Sequence, residues 1–148
     1  MAYTNQVSAY RETRVKTASQ GQLVIMLYDE AVKQLDRSLE LLALDSAEKK
    51  DPGRIEKISK AVLKAQEIFT ELMASLDFER GGEIAKNLFS LYTWFNQELL
   101  ESNLRQDLRR ITIVRNMVYE LRGAWVQIAA KNPSETMNRP AAGINIAG

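Results

Sequence analysis

The sequence predicts an all-α fold, an antiparallel up-down four-helix bundle with a flexible N-terminal arm and a mobile C-terminal tail. Four stretches place apolar residues at helical spacing, short turn-rich segments separate them, and no segment reads as a strand. Helices of similar length joined by short links favour antiparallel neighbours. We therefore expect a single domain over residues 1–148, with the arm at 1–18, the bundle at 19–131 and the tail at 132–148.

The first helix is predicted to begin at Ser19. Ser19 and Gln22 have the spacing of a capping box, in which the serine side chain bonds a first-turn amide and the glutamine reaches back. The helix should end between Asp45 and Gly53, because Asp51-Pro52-Gly53 is a turn sequence. Its core stripe comprises Val24, Tyr28, Ala31, Leu35, Leu39 and Leu42.

The second and third helices are predicted on either side of Gly81-Gly82, which we interpret as a helix break. The second should end near Asp77, and the third should run from about Glu83 to Asn103. The second core stripe comprises Ile58, Val62, Ala65, Phe69, Leu72 and Leu76. The third comprises Ile84, Leu88, Leu91, Phe95 and Leu99.

The fourth helix is predicted to start near Gln106 and to end before Asn132-Pro133, because a proline disfavours helix at the preceding residue. Its core stripe comprises Ile111, Val114, Val118, Leu121, Trp125 and Ile128. The remaining tail contains two prolines among small residues, which is typical of a mobile segment.

The composition argues against several classes of function. The net charge of +1 argues against nucleic acid as a partner, because phosphate binding needs clustered surplus cations. The sequence has no cysteine and no histidine, so we expect no metal site, no cofactor and no enzyme activity. The longest unbroken apolar run, Leu23 to Tyr28, is too short to cross a bilayer, and the N-terminus lacks an apolar signal core. We therefore expect a cytoplasmic protein with no membrane insertion.

The helices have more apolar residues than one core stripe needs. At about 100° per residue, several apolar side chains point away from the core direction. These residues could thicken a wide core, or they could form grooves that receive an amphipathic segment of a partner. The candidate partner-binding residues are Leu63, Phe89, Leu100, Ile113 and Met117.

The N-terminal arm contains isolated apolar residues in a polar segment. Val7 and Tyr10 could fold back on the bundle and cover an empty groove. The alternative is that they are solvated and inert, because single exposed apolar residues are normal.

Three strings resemble the FliS family of flagellar export chaperones, in family order and over roughly Tyr10 to Ile128. They are TASQGQLVIMLYDEAV from Thr17, KAQEIFTELMASLDFERGGEIAKNLFSLYTWFNQELLESNLRQD from Lys64, and VYELRGAW from Val118. The resemblance implies a helical bundle that binds the disordered C-terminal segment of flagellin in the cytoplasm and blocks its premature polymerisation. It also implies that the loaded complex docks on the export gate protein FlhA through the arm, where the family tyrosine corresponds best to Tyr10.

Two other functions remain open. A structural bundle could self-associate through its surplus apolar ridges, and it would then exist as a monomer in equilibrium with a weak homodimer. An enzyme would need a deep pocket with carboxylates of perturbed pKa. The absence of histidine and cysteine makes the enzyme the weakest of the three hypotheses.

Overall fold

The computed structural model describes residues 20–47 and 51–131, which form four α-helices. No strand occurs within these two ranges, and the all-α prediction is confirmed. The predicted capping box at Ser19, the arm and the tail lie outside the described residues. The helices are α1 (Gln20–Ala47), α2 (Pro52–Ala74), α3 (Phe78–Arg105) and α4 (Leu108–Lys131).

Aspartate residues cap the starts of α2 and α3. The Asp51 carboxylate accepts a hydrogen bond from the Gly53 amide at 2.9 Å, and Pro52 occupies the first turn, where its missing N–H has no cost. The Asp77 carboxylate accepts hydrogen bonds from the amides of Glu79 and Arg80 at 3.0 and 3.1 Å. Both caps explain why the chain re-enters a helix soon after each turn.

The third helix begins five residues before the predicted start at Glu83, because the Asp77 cap adds one helical turn from Phe78 to Gly81. Gly82 then leaves helical geometry at φ 50° and ψ −125°, a conformation that L side chains rarely adopt. The predicted break at Gly81-Gly82 is therefore a kink inside α3. At its other end α3 stops at Gln106, whose φ of 55° is left-handed.

Contacts between side chains establish the antiparallel arrangement. Across α1 and α4, Asp29 pairs with Arg122 and Asp36 pairs with Arg115, so that residue numbers rise on one helix as they fall on the other. The same order holds across α2 and α3, where hydrogen bonds join Ser59 to Asn103, Gln66 to the Asn96 carbonyl, and Thr93 to Met73. Each helix packs against two neighbours: α1 against α2 and α4, and α3 against α2 and α4. Of the four helix–helix interfaces, the one between α3 and α4 is the smallest.

Most residues of the predicted core stripes lie in one shared core. All six stripe residues of the second helix are buried. In the other three stripes, four residues are partly buried at the edge of the core, namely Leu39, Ile84, Leu91 and Leu121, and Ile128 is partly buried as well. The core also contains Tyr92, which the predicted stripe of the third helix omitted. Full burial of a large apolar side chain stabilises a fold by roughly 1.5–3 kcal/mol. The aromatic centre of this core consists of Tyr28, Phe69, Tyr92, Phe95 and Trp125.

Three of these aromatic groups form a buried hydrogen-bond chain. The hydroxyls of Tyr28 and Tyr92 lie 2.5 Å apart, and the indole Nε1 of Trp125 donates to the Tyr28 hydroxyl at 3.1 Å. Burial raises the pKa of Tyr28 to about 12, and burial together with the Tyr28 contact raises the pKa of Tyr92. The chain thus ties α1, α3 and α4 together with both phenols neutral.

Candidate functional site

The predicted partner-binding residues lie on the surface of the bundle. Leu63, Phe89, Leu100 and Ile113 are each about half exposed, at 47%, 43%, 52% and 50%, whereas Met117 is partly buried against the core. Exposed apolar residues that cluster usually mark a binding surface, whereas scattered ones carry no meaning. The positions of these five residues relative to the helix seams therefore decide how the site is built.

Leu63, Phe89 and Leu100 lie along the seam between α2 and α3. Leu63 is one turn from both Ser59 and Gln66, the α2 residues that bond to α3. Phe89 is one turn before Thr93, whose hydroxyl donates to the Met73 sulfur across the seam at 3.4 Å. Leu100 is one turn after Asn96, which bonds to α2 as well.

The next exposed residue on this side of α3 is Leu104, at 73% exposure. It lies one turn beyond Leu100 and extends the apolar row toward the end of α3. We call Leu63, Phe89, Leu100 and Leu104 the α2/α3 strip.

Ile113 and Met117 lie on the other side of α3, along its seam with α4. An ion pair between Glu98 of α3 and Arg110 of α4 marks this seam, and it raises the pKa of Arg110 above its ordinary value. Ile113 and Met117 follow Arg110 by one and two turns, and Trp94 precedes Glu98 by one turn. We call Trp94, Ile113 and Met117 the α3/α4 strip.

The structure therefore divides the five predicted residues between two strips that flank α3. The seams beneath the strips differ in chemistry. Between α2 and α3, the hydrogen bonds that join Ser59 to Asn103 and Gln66 to Asn96 use uncharged groups. Between α3 and α4, Glu98 and Arg110 form a charged pair. A partner bound to the α2/α3 strip thus contacts apolar side chains, and the polar groups in the seam beneath them are uncharged.

The structure places two further residues at the α2/α3 strip that the sequence analysis missed. Phe78 is 47% exposed and its ring meets the ring of Phe89 edge-on, with 5.9 Å between the centroids. Leu104 was missed because the predicted third helix ended at Asn103. The signal for Phe78 was present in the sequence, since Asp77 two residues before Glu79 is a typical start of a helix.

Val7 and Tyr10 lie outside the described residues, so their docking role remains a prediction. Over residues 20–47 and 51–131 no group of three acidic side chains is arranged to hold a metal ion. Within the same ranges, no helix has the length and apolarity needed to span a membrane.

Comparison with known proteins identifies the family. A family model described as flagellar protein FliS matches residues 3–132. The flagellar secretion chaperone FliS of Salmonella typhimurium is 39% identical over 121 residues, which cover 81% of this chain and 84% of that protein. The proteins of the same name from Escherichia coli and Bacillus subtilis are 33% and 28% identical; they cover 77% and 86% of this chain, and the matches span 79% and 88% of those proteins. The chain therefore belongs to the FliS family of flagellar secretion chaperones.

Proposed function

We propose that this chaperone binds the disordered C-terminal segment of flagellin in the cytoplasm, prevents its premature polymerisation and delivers it to the flagellar type III export gate. The observation that supports this function best is the pair of apolar strips on the two sides of α3. A segment that is disordered when free can fold into helix against such strips and bury its apolar face. The proposal includes no catalytic step and no cofactor.

The physical balance of this interaction suits an escort protein. A segment that folds on binding loses conformational entropy, which costs roughly 2–5 kcal/mol of the gross interaction energy. Apolar burial contributes about 25 cal/mol per Å² and offsets this cost only when the contact is extensive. Two strips on adjacent seams provide a longer contact than either strip alone. The extensive apolar contact then gives enough affinity to hold flagellin during transport. The entropy cost of ordering the segment lowers that affinity, so that flagellin can still be released.

The binding step is tested by titrating fluorescently labelled flagellin C-terminal peptide with variants of the full chain. Leu63→Asp and Ile113→Asp each place a charge in one strip, and each is expected to weaken binding more than tenfold. Leu44→Asp is the matched control, because Leu44 of α1 is 46% exposed and lies on neither strip. Unchanged binding by both folded strip variants would contradict the assignment of the strips to flagellin.

Delivery to the export gate is proposed to depend on the arm residues Val7 and Tyr10. The resemblance to the family assigns this role to Tyr10, and binding of flagellin to a groove covered by the arm would expose it. A Tyr10→Ala chaperone should then bind flagellin normally but, when loaded, dock poorly on FlhA in a pull-down with its soluble domain. Normal docking of the loaded Tyr10→Ala protein would remove the arm from the delivery step.

The same strips also favour a second candidate, self-association of a structural bundle. A stable homodimer typically buries about 800 Å² of the surface of each partner. The strips are narrow rows of side chains, and we expect them to bury less than this area in a dimer. We therefore propose that the free protein is a monomer or a weak homodimer. Sedimentation equilibrium over a hundredfold concentration range checks this, and a tight dimer that excludes the flagellin peptide would favour the structural role.

A further inference from the structure

The first turn of α3 is joined to the rest of the helix by a kink. Asp77 caps the turn from Phe78 to Gly81, and Gly82 has φ 50° and ψ −125°. An alanine at this position would meet no atom within 4 Å, so the requirement for glycine comes from the backbone alone. The turn that contains Phe78 is thus held to α3 by a single glycine joint.

One end of the α2/α3 strip is formed by Phe89, and Phe78 and Met73 lie near it. The ring of Phe78 meets the ring of Phe89 at an interplanar angle of 63°, and both rings are about half exposed. Met73 of α2 is joined to the same part of α3, since its sulfur accepts a hydrogen bond from Thr93, one turn after Phe89. We call Met73, Phe78 and Phe89 the aromatic end of the strip.

We propose that the aromatic end receives one leucine or methionine side chain of the bound partner segment, and that Gly82 is the joint that sets the angle of Phe78 against it. This inference rests on the function proposed above for the α2/α3 strip. Two half-exposed aromatic rings and a thioether favour an apolar or sulfur-containing side chain. A charged side chain would lose its hydration there without gaining a partner.

The aromatic end also fixes the register of the partner along the strip. The rest of the strip consists of Leu63 on α2 and of Leu100 and Leu104, one turn apart on α3. Leucines spaced by a turn accept an apolar helix shifted by one turn at little cost. A site at one end that fits a single anchor side chain removes this freedom. Phe78 is therefore a specificity-determining residue, although it lies outside the regular part of α3.

The test uses the labelled flagellin C-terminal peptide and the full chain. Phe78→Ala and Phe89→Ala are each expected to weaken binding about tenfold, while Leu44→Ala, the control outside the strips, leaves it unchanged. An alanine scan of the leucines and methionines of the peptide is then repeated on Phe78→Ala. At one peptide position, the alanine substitution should weaken binding to the wild type but not to Phe78→Ala. The side chain at that position contacts Phe78, and this contact is already absent in the variant. Phe78→Leu, which keeps the apolar volume, should retain most of the affinity and the fold.

The joint is tested separately by Gly82→Ala, with Gly123→Ala in α4 as its control, because neither added methyl group meets an atom within 4 Å. Gly82→Ala should weaken binding of the peptide severalfold, and Gly123→Ala should leave it unchanged. If Phe78→Ala and Gly82→Ala bind like the wild type while Leu63→Asp fails, this inference is overturned and the proposed function stands. If the wild type itself does not bind the peptide, the proposed function fails, and this inference with it.

Discussion

At the scale of the residue, the buried chain of Tyr28, Tyr92 and Trp125 is the most informative polar feature of the bundle. Each hydroxyl or indole N–H in the chain would be costly to bury alone, and each finds its partner on another helix. The chain therefore requires α1, α3 and α4 to pack in one register, which apolar contacts alone specify less strictly.

Tyr92→Phe removes one hydroxyl from this chain and leaves the ring in place. We expect the free energy of unfolding to fall by about 1 kcal/mol, the usual net contribution of such a hydrogen bond. Urea denaturation followed by circular dichroism measures it. Tyr119→Phe is the control, because Tyr119 is exposed on α4 and should change stability little. Equal stability of the two variants would contradict a structural role for the chain.

Stability should also fall at alkaline pH, in part because of Tyr28. Its pKa rises from 10.0 to about 12 on folding, so the neutral phenol is favoured in the folded state. Its contribution is fully present below pH 10 and is lost as pH rises from 10 toward 12, with a slope of at most about 1.4 kcal/mol per pH unit. Urea titrations between pH 8 and 11.5 should show a shallower decline for Tyr28→Phe than for the wild type. Parallel declines would exclude Tyr28 as the group responsible.

At the scale of the element, two glycines have opposite roles although neither has a neighbour near its missing Cβ. Gly123 lies inside α4, where alanine is the better helix former. Gly82 lies at the kink of α3 with a positive φ, where alanine is strained. The difference between them is purely one of backbone conformation.

We therefore expect Gly123→Ala to raise the free energy of unfolding by roughly 0.5–1 kcal/mol. Gly82→Ala should lower it by roughly 1–3 kcal/mol, or should straighten the first turn of α3. Thermal unfolding of both variants tests the pair in one experiment. A stabilised Gly82→Ala protein would show that the kink is not required by the rest of the bundle.

The helices also differ in how well their bounds and their exposed residues could be predicted from the sequence. Helical periodicity located all four helices and most of the core, because burial of one face produces that pattern directly. The single stripes left out buried residues beside them, such as Val32, Ile68 and Ala85. Periodicity did not locate Phe78, since a single capped turn before a glycine has no periodicity to detect. Nor did it include Leu104, because the end of a helix depends on the cap at Gln106 and not on the apolar pattern.

At the scale of the whole molecule, the arrangement of the helices gives the surface residues their meaning. The sequence predicted that Leu63, Phe89, Leu100, Ile113 and Met117 point away from the core. The short links predicted that consecutive helices are antiparallel neighbours, but the sequence could not show on which side of α3 each neighbour lies, and so it could not assign these residues to two seams. The cross-helix pairs that define the seams join residues of different helices, which are 44 positions apart for Ser59 and Asn103 and 12 positions apart for Glu98 and Arg110. The position of α3 between the two strips is thus a property of the assembled bundle.

Binding of flagellin by the two strips is best tested by a calorimetric titration of the full chain with the C-terminal peptide of its own organism's flagellin. We expect one peptide per chain, a large negative heat-capacity change from apolar burial and a gain of helix by circular dichroism. The same titration of Leu63→Asp should lose most of the heat, and that of Leu44→Asp should not. A folded wild-type protein that gives neither heat nor added helix at any temperature would contradict the claim that the strips bind flagellin.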